Sequence, residues 1–352
     1  MKKHILAAAL SAAMAASGAA SAADDIKVGV ILGFTGPIES LTPDMGASAE
    51  LAFKEASDSG MLLGGKKITP VRADSTCVDA GAATAAAERL ISSDKVVAIM
   101  GADCSGVTTA IANSVAVPKG VVMISPSATT PALSSIDDKG YFFRTAPSDA
   151  RQGQVLADAV FERGIKEIAV TYTNNDYGKG LSDSFTAAFK KLGGKVSIVA
   201  AHEDGKGDYS AEVAALAASG ADKLAVLGYL DQGGKGIIQT SLDTGAFETF
   251  ALGDGMIGQS LVDAFGNDMV DSVGTSAGGT SDALTNFIKM AKENNIGGEG
   301  PYDATSYDAG ALIALAIQAA GSTDRATIQS KIMDVANAPG EKIYPGDLAK
   351  AL

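Results

Sequence analysis

Short apolar runs and amphipathic stretches alternate along this chain from residue 27 to residue 254, and that rhythm limits the fold more than any single motif. KVGVILGF (27–34) reads as a strand, and MGASAELAFKEASDSG (45–60) as an amphipathic helix closed by glycine. KITPVRAD (67–74) is a second strand, followed by the alanine-rich helix 80–92. VVAIMG (96–101) leads into the helix VTTAIANSVAV and then the strand VVMIS (121–125). Strands this apolar, separated by helices, indicate a parallel sheet covered on both faces.

After YFFRTAPSD (141–149) the rhythm restarts. A helix at 150–163 precedes strand 167–172, helix 179–192, strand KVSIVAAH, helix 209–219, strand 223–229, helix 233–244 and strand 249–254. A further strand at 273–277 leads to helices at 282–294 and 303–320. The expected class is α/β, with two similar doubly wound lobes of mainly parallel strands and a ligand cleft between them. In such sheets ligands sit outside the carboxyl ends of the strands, so the chemistry is sought at the strand ends.

The first 23 residues stand outside this pattern. A basic MKK, the apolar ILAAALSAAMAA and the small residues SGAASAA match a secretory signal peptide, cleaved after Ala22 or Ala23. About 329 residues then remain, more than one core usually organises, which also favours two lobes. Losing Lys2 and Lys3 leaves 26 basic against 41 acidic residues, a net charge of −15 that repels nucleic acid and anionic membrane. The two cysteines, Cys77 and Cys104, are read as one disulfide in an exported protein, with two buried free thiols as the alternative.

Two neighbouring strand ends are rich in hydroxyls and backbone donors. The strand 96–101 ends in GADCSG, placing Ser105 at a helix start; VVMIS ends in Ser125, Ser127 and Thr129. Such groups suit a carboxylate, and they are equally ordinary helix caps, so local sequence leaves both roles open. Asp254, at the end of strand 249–254, suits a ligand ammonium or a solvated loop. Tyr177 and Tyr229 fall in loops of the second half, where aromatic residues make ligand walls.

Catalysis has little to stand on. His202 is the single histidine beyond the leader, and no G-x-S-x-G, H-E-x-x-H, P-loop or zinc spacing occurs. GDGMIG (253–258) fits G-x-G-x-x-G formally, but lies far from the first βα unit of an exported chain.

Taken in order, GFTGPIESLTPDMGASAELAF, DSTCVDA, MGADCSGVTTAIA, MISPSATTPALS, FFRTAPSD, NNDYGKGL, LGDGMIG and SYDAGALIAL resemble the type I periplasmic substrate-binding proteins of ABC transporters. The similarity is to the branched-chain amino-acid receptor group, the leucine/isoleucine/valine-binding type, and runs from about residue 26 to 340. The resemblance implies a periplasmic monomer that passes an amino acid to an inner-membrane ABC permease, with no cofactor, no metal and no nucleic acid. It also implies lobe 1 at 24–146 plus about 279–336, and lobe 2 at 147–278 plus about 337–352, joined by three crossing segments.

Carried over position by position, Ser105, Ser127, Ala128 and Thr129 would meet the ligand carboxylate, and Asp254 the ammonium. Tyr177, Tyr229 and Tyr302 would wall the site, with Leu41 where some relatives have an aromatic residue, and Cys77 would pair with Cys104. The alternative within this reading is a receptor for another small solute, such as an aromatic acid, an amide or urea; a periplasmic enzyme is the remote one. Relatives usually continue past YPGDLAKAL with a further helix and a glycine-containing strand, which leaves open whether this chain is truncated at its C-terminus.

Overall fold

The computed structural model describes residues 25–352, so the expected signal peptide lies outside the described residues. The first series is β1 (Ile26–Leu32), α1 (Thr42–Asp58), β2 (Ile68–Asp74), α2 (Ala80–Ser92), β3 (Ala98–Gly101) and α3 (Ser105–Ile111). It continues with β4 (Val122–Ser125), β5 (Phe142–Arg144) and α4 (Asp149–Glu162). The second series is β6 (Glu167–Thr173), α5 (Asp176–Lys191), β7 (Lys195–His202), α6 (Ser210–Ala217) and β8 (Leu224–Leu227). It ends with α7 (Gly233–Thr244), β9 (Phe250–Leu252), α8 (Gln259–Phe265) and β10 (Val273–Gly274). Three helices follow: α9 (Asp282–Glu293), α10 (Asp303–Ala320) and α11 (Arg325–Ala336).

All ladders are parallel, and the two sheets share one order. The first runs β2-β1-β3-β4-β5 and the second, from its other edge, β7-β6-β8-β9-β10. In each, the order reverses beside the first strand of its series, β1/β3 and β6/β8, which opens a crevice at the carboxyl ends. The central strands β3, β4 and β8 are buried at every position, as continuous apolar runs covered on both faces require.

Local chemistry sets the element boundaries. Asp79, Ser148, Asn175, Ser281 and Asp324 each cap a helix by accepting from backbone N–H groups of its first turn. The Asn175 cap starts α5 at Asp176, so Tyr177 lies in the first helical turn and not in the loop expected from NNDYGKG. Gly101 ends β3 at φ +119°, where a Cβ would stand 2.0 Å from the carbonyl oxygen of Ile31. Gly101→Ala is therefore expected to lower stability by about 1 to 3 kcal/mol, read from the urea unfolding midpoint. An unchanged midpoint would mean that this strand end yields freely.

The C-terminal helices return to the first sheet. Gly310 of α10 lies against the backbone of Ala49 in α1, closer than a Cβ would permit, and Thr145 donates its hydroxyl to the carbonyl of Thr305. The end of the chain follows them. Leu348 packs with Leu51, Phe287 and Tyr307, and the N–H groups of Gly346 and Leu348 donate to Glu55 of α1. These last residues, expected with the second lobe, thus lie against a helix of the first series, because Glu55 supplies their backbone acceptor.

His202 closes β7 at 1% exposure. Its Nδ1 lies 2.8 Å from the Thr171 hydroxyl, while Nε2 has no partner. Burial lowers its pKa to about 4. The unfolded chain binds this proton near 6.5, so the contribution is whole above that pH and is lost as pH falls toward 4. Wild type is expected to lose about 2.5 kcal/mol more than His202→Gln between pH 7.5 and pH 4.5 in urea unfolding. Parallel curves for the two proteins would contradict a neutral buried imidazole.

Candidate functional site

The carboxyl ends of both sheets meet at one small cavity. From the first series come Ile38 after β1, Asp103, Cys104 and Ser105 after β3, and Ser127 after β4. From the second come Tyr177 after β6, Tyr229 after β8 and Gly255 after β9, and Tyr302, just before α10, completes the wall. The enclosed space is about 10 Å³, about one water molecule. Loops from the two sides are in contact: the Asp231 N–H donates to the Pro37 carbonyl (2.9 Å), and the Ser40 N–H to the Asp231 carboxylate (2.8 Å).

On the first side, a buried carboxylate gathers the strand ends. Asp103 accepts from the Gly33 N–H (2.6 Å) and the Ser75 hydroxyl (3.1 Å), tying the loops after β1, β2 and β3 together. Burial raises its pKa, and those donors partly offset that. The pairing of Cys77 with Cys104 braces the same loops. Ser125 shapes the turn after β4, accepting from the N–H groups of Ser127 (3.4 Å) and Ala128 (2.9 Å) and donating to the Ala102 carbonyl (2.5 Å). Ser127 donates to the Asp103 carbonyl (3.1 Å), and the Ser105 hydroxyl accepts from the Thr130 N–H (3.2 Å). The Thr129 hydroxyl is buried with no partner.

Opposite stands Asp254, at 1% exposure in the turn after β9. One of its oxygens accepts from the Tyr177 hydroxyl (2.7 Å) and the other from the Tyr302 hydroxyl (2.6 Å). Tyr177 also accepts from the Gly255 N–H (3.0 Å) and stacks on Tyr229, with ring centroids 5.1 Å apart. Burial first, then the charge of Asp254, pushes Tyr177 and Tyr302 well above the ordinary phenol range, so both remain hydroxyl donors. Asp254 itself is one layer behind the cavity wall, screened by these two rings.

Of the residues singled out from sequence, Ser105, Ser127, Tyr177, Tyr229 and Tyr302 line the cavity, and Asp254 and Thr129 adjoin those that do. Ala128 is buried in the turn, its carbonyl accepting from Arg144 (3.2 Å). Leu41 is not among the lining residues. The loop 36–41 brings Ile38 to the cavity instead, while the Leu41 methyl lies 3.0 Å from where a Cβ on Gly258 would be. Sequence reasoning missed Asp149, fully buried in the first turn of α4 with neither carboxylate oxygen hydrogen-bonded. Its N–H donates to the Thr129 carbonyl (2.9 Å), which puts it beside the predicted site.

Two parallel sheets of one strand order, with their crevices sharing a cavity of hydroxyls, tyrosines and a buried acid, define a two-lobed small-solute receptor. The chain belongs to the periplasmic binding protein family, whose model matches residues 25–340. It is 31% identical over 319 residues to the Leu/Ile/Val-binding protein homolog 3 of Brucella melitensis biotype 1, covering 88% of this chain and 83% of that one. Among solved structures it is similar to the leucine binding protein LivK of Thermotoga maritima, with TM-score 0.74, 26% identity and 87% of each chain covered. It is also similar to the branched-chain amino acid transporter substrate binding protein LivJ of Streptococcus pneumoniae in complex with isoleucine. There the TM-score is 0.75 and the identity 25%, over 88% of this chain and 87% of that one.

Proposed function

We propose that this protein is an exported receptor that binds a free amino acid with an aliphatic side chain between its lobes and delivers it to an inner-membrane ABC permease, without chemical change to the ligand. One observation carries the reading: a buried carboxylate, Asp254, stands directly behind the Tyr177 and Tyr302 rings of a cavity that the strand-end residues Ser105 and Ser127 also line. Ser105, Ser127 and Thr129 take the α-carboxylate, and Asp254 takes the α-ammonium. Ile38 and the rings of Tyr229 and Tyr302 supply an apolar wall for the side chain. Lobe 1 comprises 24–146 with about 279–336 and lobe 2 comprises 147–278, so the two ends of one zwitterion are held from opposite lobes.

Each charge-assisted contact contributes about 1.5 to 3 kcal/mol. Three or four of them, less the cost of ordering, suit the roughly −8 kcal/mol of a micromolar receptor. A space of about 10 Å³ admits no amino acid, so entry requires the lobes to part and the tyrosine pair to move. Export by the leader and docking on a permease complete the proposal.

A thermal-shift panel tests it, with leucine, isoleucine and valine beside polar and basic amino acids, benzoate, 4-hydroxybenzoate, amides and urea. Selective stabilisation by the aliphatic amino acids is expected, about 2.7 kcal/mol at a hundredfold excess over Kd. Stabilisation by non-amino acids alone would overturn the amino-acid reading.

A further inference from the structure

Besides Asp103 in the cavity wall, two buried acids lie behind it, Asp254 and Asp149, and of these two only Asp254 accepts side-chain hydrogen bonds. Asp254 accepts from two tyrosine hydroxyls, one on each oxygen. Asp149 is 0% exposed, and both its oxygens lack any partner. Its surroundings explain why. The charged groups that act on it are Asp254 after β9 and Arg144 on β5, and its own charge acts on Tyr177 on α5, Tyr229 after β8 and Tyr302 before α10. Arg144 is committed elsewhere, to the carbonyls of Ala128 (3.2 Å) and Thr130 (2.9 Å) and the Ser134 hydroxyl (2.5 Å). Tyr177 and Tyr302 are spent on Asp254.

A buried acid with so little hydrogen bonding tends to keep its proton, and the opposing pull of Thr129 and Arg144 on Asp149 is smaller than the cost of desolvating its charge. Burial, and after it the charge of Asp254, pushes the Asp149 carboxyl well above the usual carboxylate range. The Thr129 hydroxyl, also buried without a partner, stands in the segment whose carbonyl accepts the Asp149 N–H. Asp149, Asp254 and Thr129 together therefore offer acceptor oxygens enough for the three N–H groups of a primary ammonium.

We infer that Asp149 holds a proton in the ligand-free site and releases it to solvent when a primary ammonium enters between Asp149 and Asp254, so that amino-acid binding here is an exchange of one proton for one ammonium. The exchange keeps the site's charge constant: the ligand brings one positive charge to the acids and one proton leaves. This rests on the amino-acid reading above and adds a signature that reading does not require. Affinity rises with pH, by up to tenfold per pH unit, while pH lies between the lowered pKa of Asp149 beside the ammonium and its raised pKa without it. A quaternary amine or a plain carboxylic acid, lacking the three N–H donors, releases no proton.

The test is calorimetric titration of the exported protein with leucine from pH 5 to pH 8, each in two buffers of different ionisation enthalpy. Wild type is expected to release up to one proton per leucine. Asp149→Asn, which has no proton to lose, is expected to bind more weakly than wild type at pH 8, with no proton release and a flat pH profile. Leucine binding without proton release at any pH would overturn the exchange and leave the receptor reading standing. Undiminished release in Asp149→Asn would overturn it equally. If no amino acid binds at all, the receptor reading fails and the exchange falls with it.

Discussion

Asp254→Ala is expected to weaken leucine binding about 10- to 150-fold, the loss of one charge-assisted contact of about 1.5 to 3 kcal/mol. The carboxylate is the acceptor that Tyr177 and Tyr302 already share, and the two rings hold it behind the cavity wall. Removing it takes away the ammonium's partner and also leaves two buried hydroxyls without their acceptor. Asp254→Asn narrows the comparison, since it removes the charge but keeps one acceptor oxygen, so that only one of the two tyrosine hydroxyls loses its acceptor. Both variants are expected to keep the fold, because β9 is held by its ladder to β8 and by the backbone turn from Gly253 to Met256. Affinity by titration calorimetry, with circular dichroism as the check on folding, decides the matter. An Asp254→Ala protein that binds leucine as wild type does would show that the ammonium goes elsewhere.

Loss of the Cys77–Cys104 bond has the largest expected effect on stability. The two cysteines are 27 positions apart and lie in the loops after β2 and β3, the strands that flank β1. A cross-link of that span removes about 3.5 kcal/mol of chain entropy from the unfolded state. In a lobe of this size that corresponds to a melting temperature about 7 to 14 °C lower. The paired Cys77→Ser, Cys104→Ser protein should show this drop in scanning calorimetry. Its leucine affinity should fall less than that of Asp254→Ala, because Asp103 still ties Gly33 and Ser75 together. An unchanged melting temperature would mean that the Asp103 contacts alone hold these loops.

How much of this was legible in the sequence follows from where each signal is written. Central strands such as VVMIS announced themselves because a sheet covered on both faces needs apolar residues at every position. The rhythm of strand and helix then gave two lobes of parallel strands. The helices α8 and α11 passed unread; they bury Leu261 with Phe265 and Ile328 with Ile332, respectively. The three-residue β5 was read only as part of the junction between the two series.

The site divides the same way. Ser105 and Ser127 stood at strand ends, where chain order alone points to a crevice, and Asp254 did the same in the second series. Asp149 was invisible because Ser148-Asp149 reads as an ordinary helix start, with a capping serine and an acid favoured by the helix dipole. Its neighbours Thr129 and Asp254 come from segments far apart in the chain. Ile38 and Leu41 share one loop, and only the folded course of that loop tells which of them meets the cavity.

The central claim is that one amino acid is held across the two lobes by its charged ends, and a crystal structure of the protein grown with leucine tests it most directly. The account predicts one leucine per chain, its carboxylate against Ser105, Ser127 and Thr129 and its ammonium on Asp254, with the stacked Tyr177 and Tyr229 moved apart to admit it. Leucine bound away from these residues, or a cavity unchanged at saturating leucine, would contradict it.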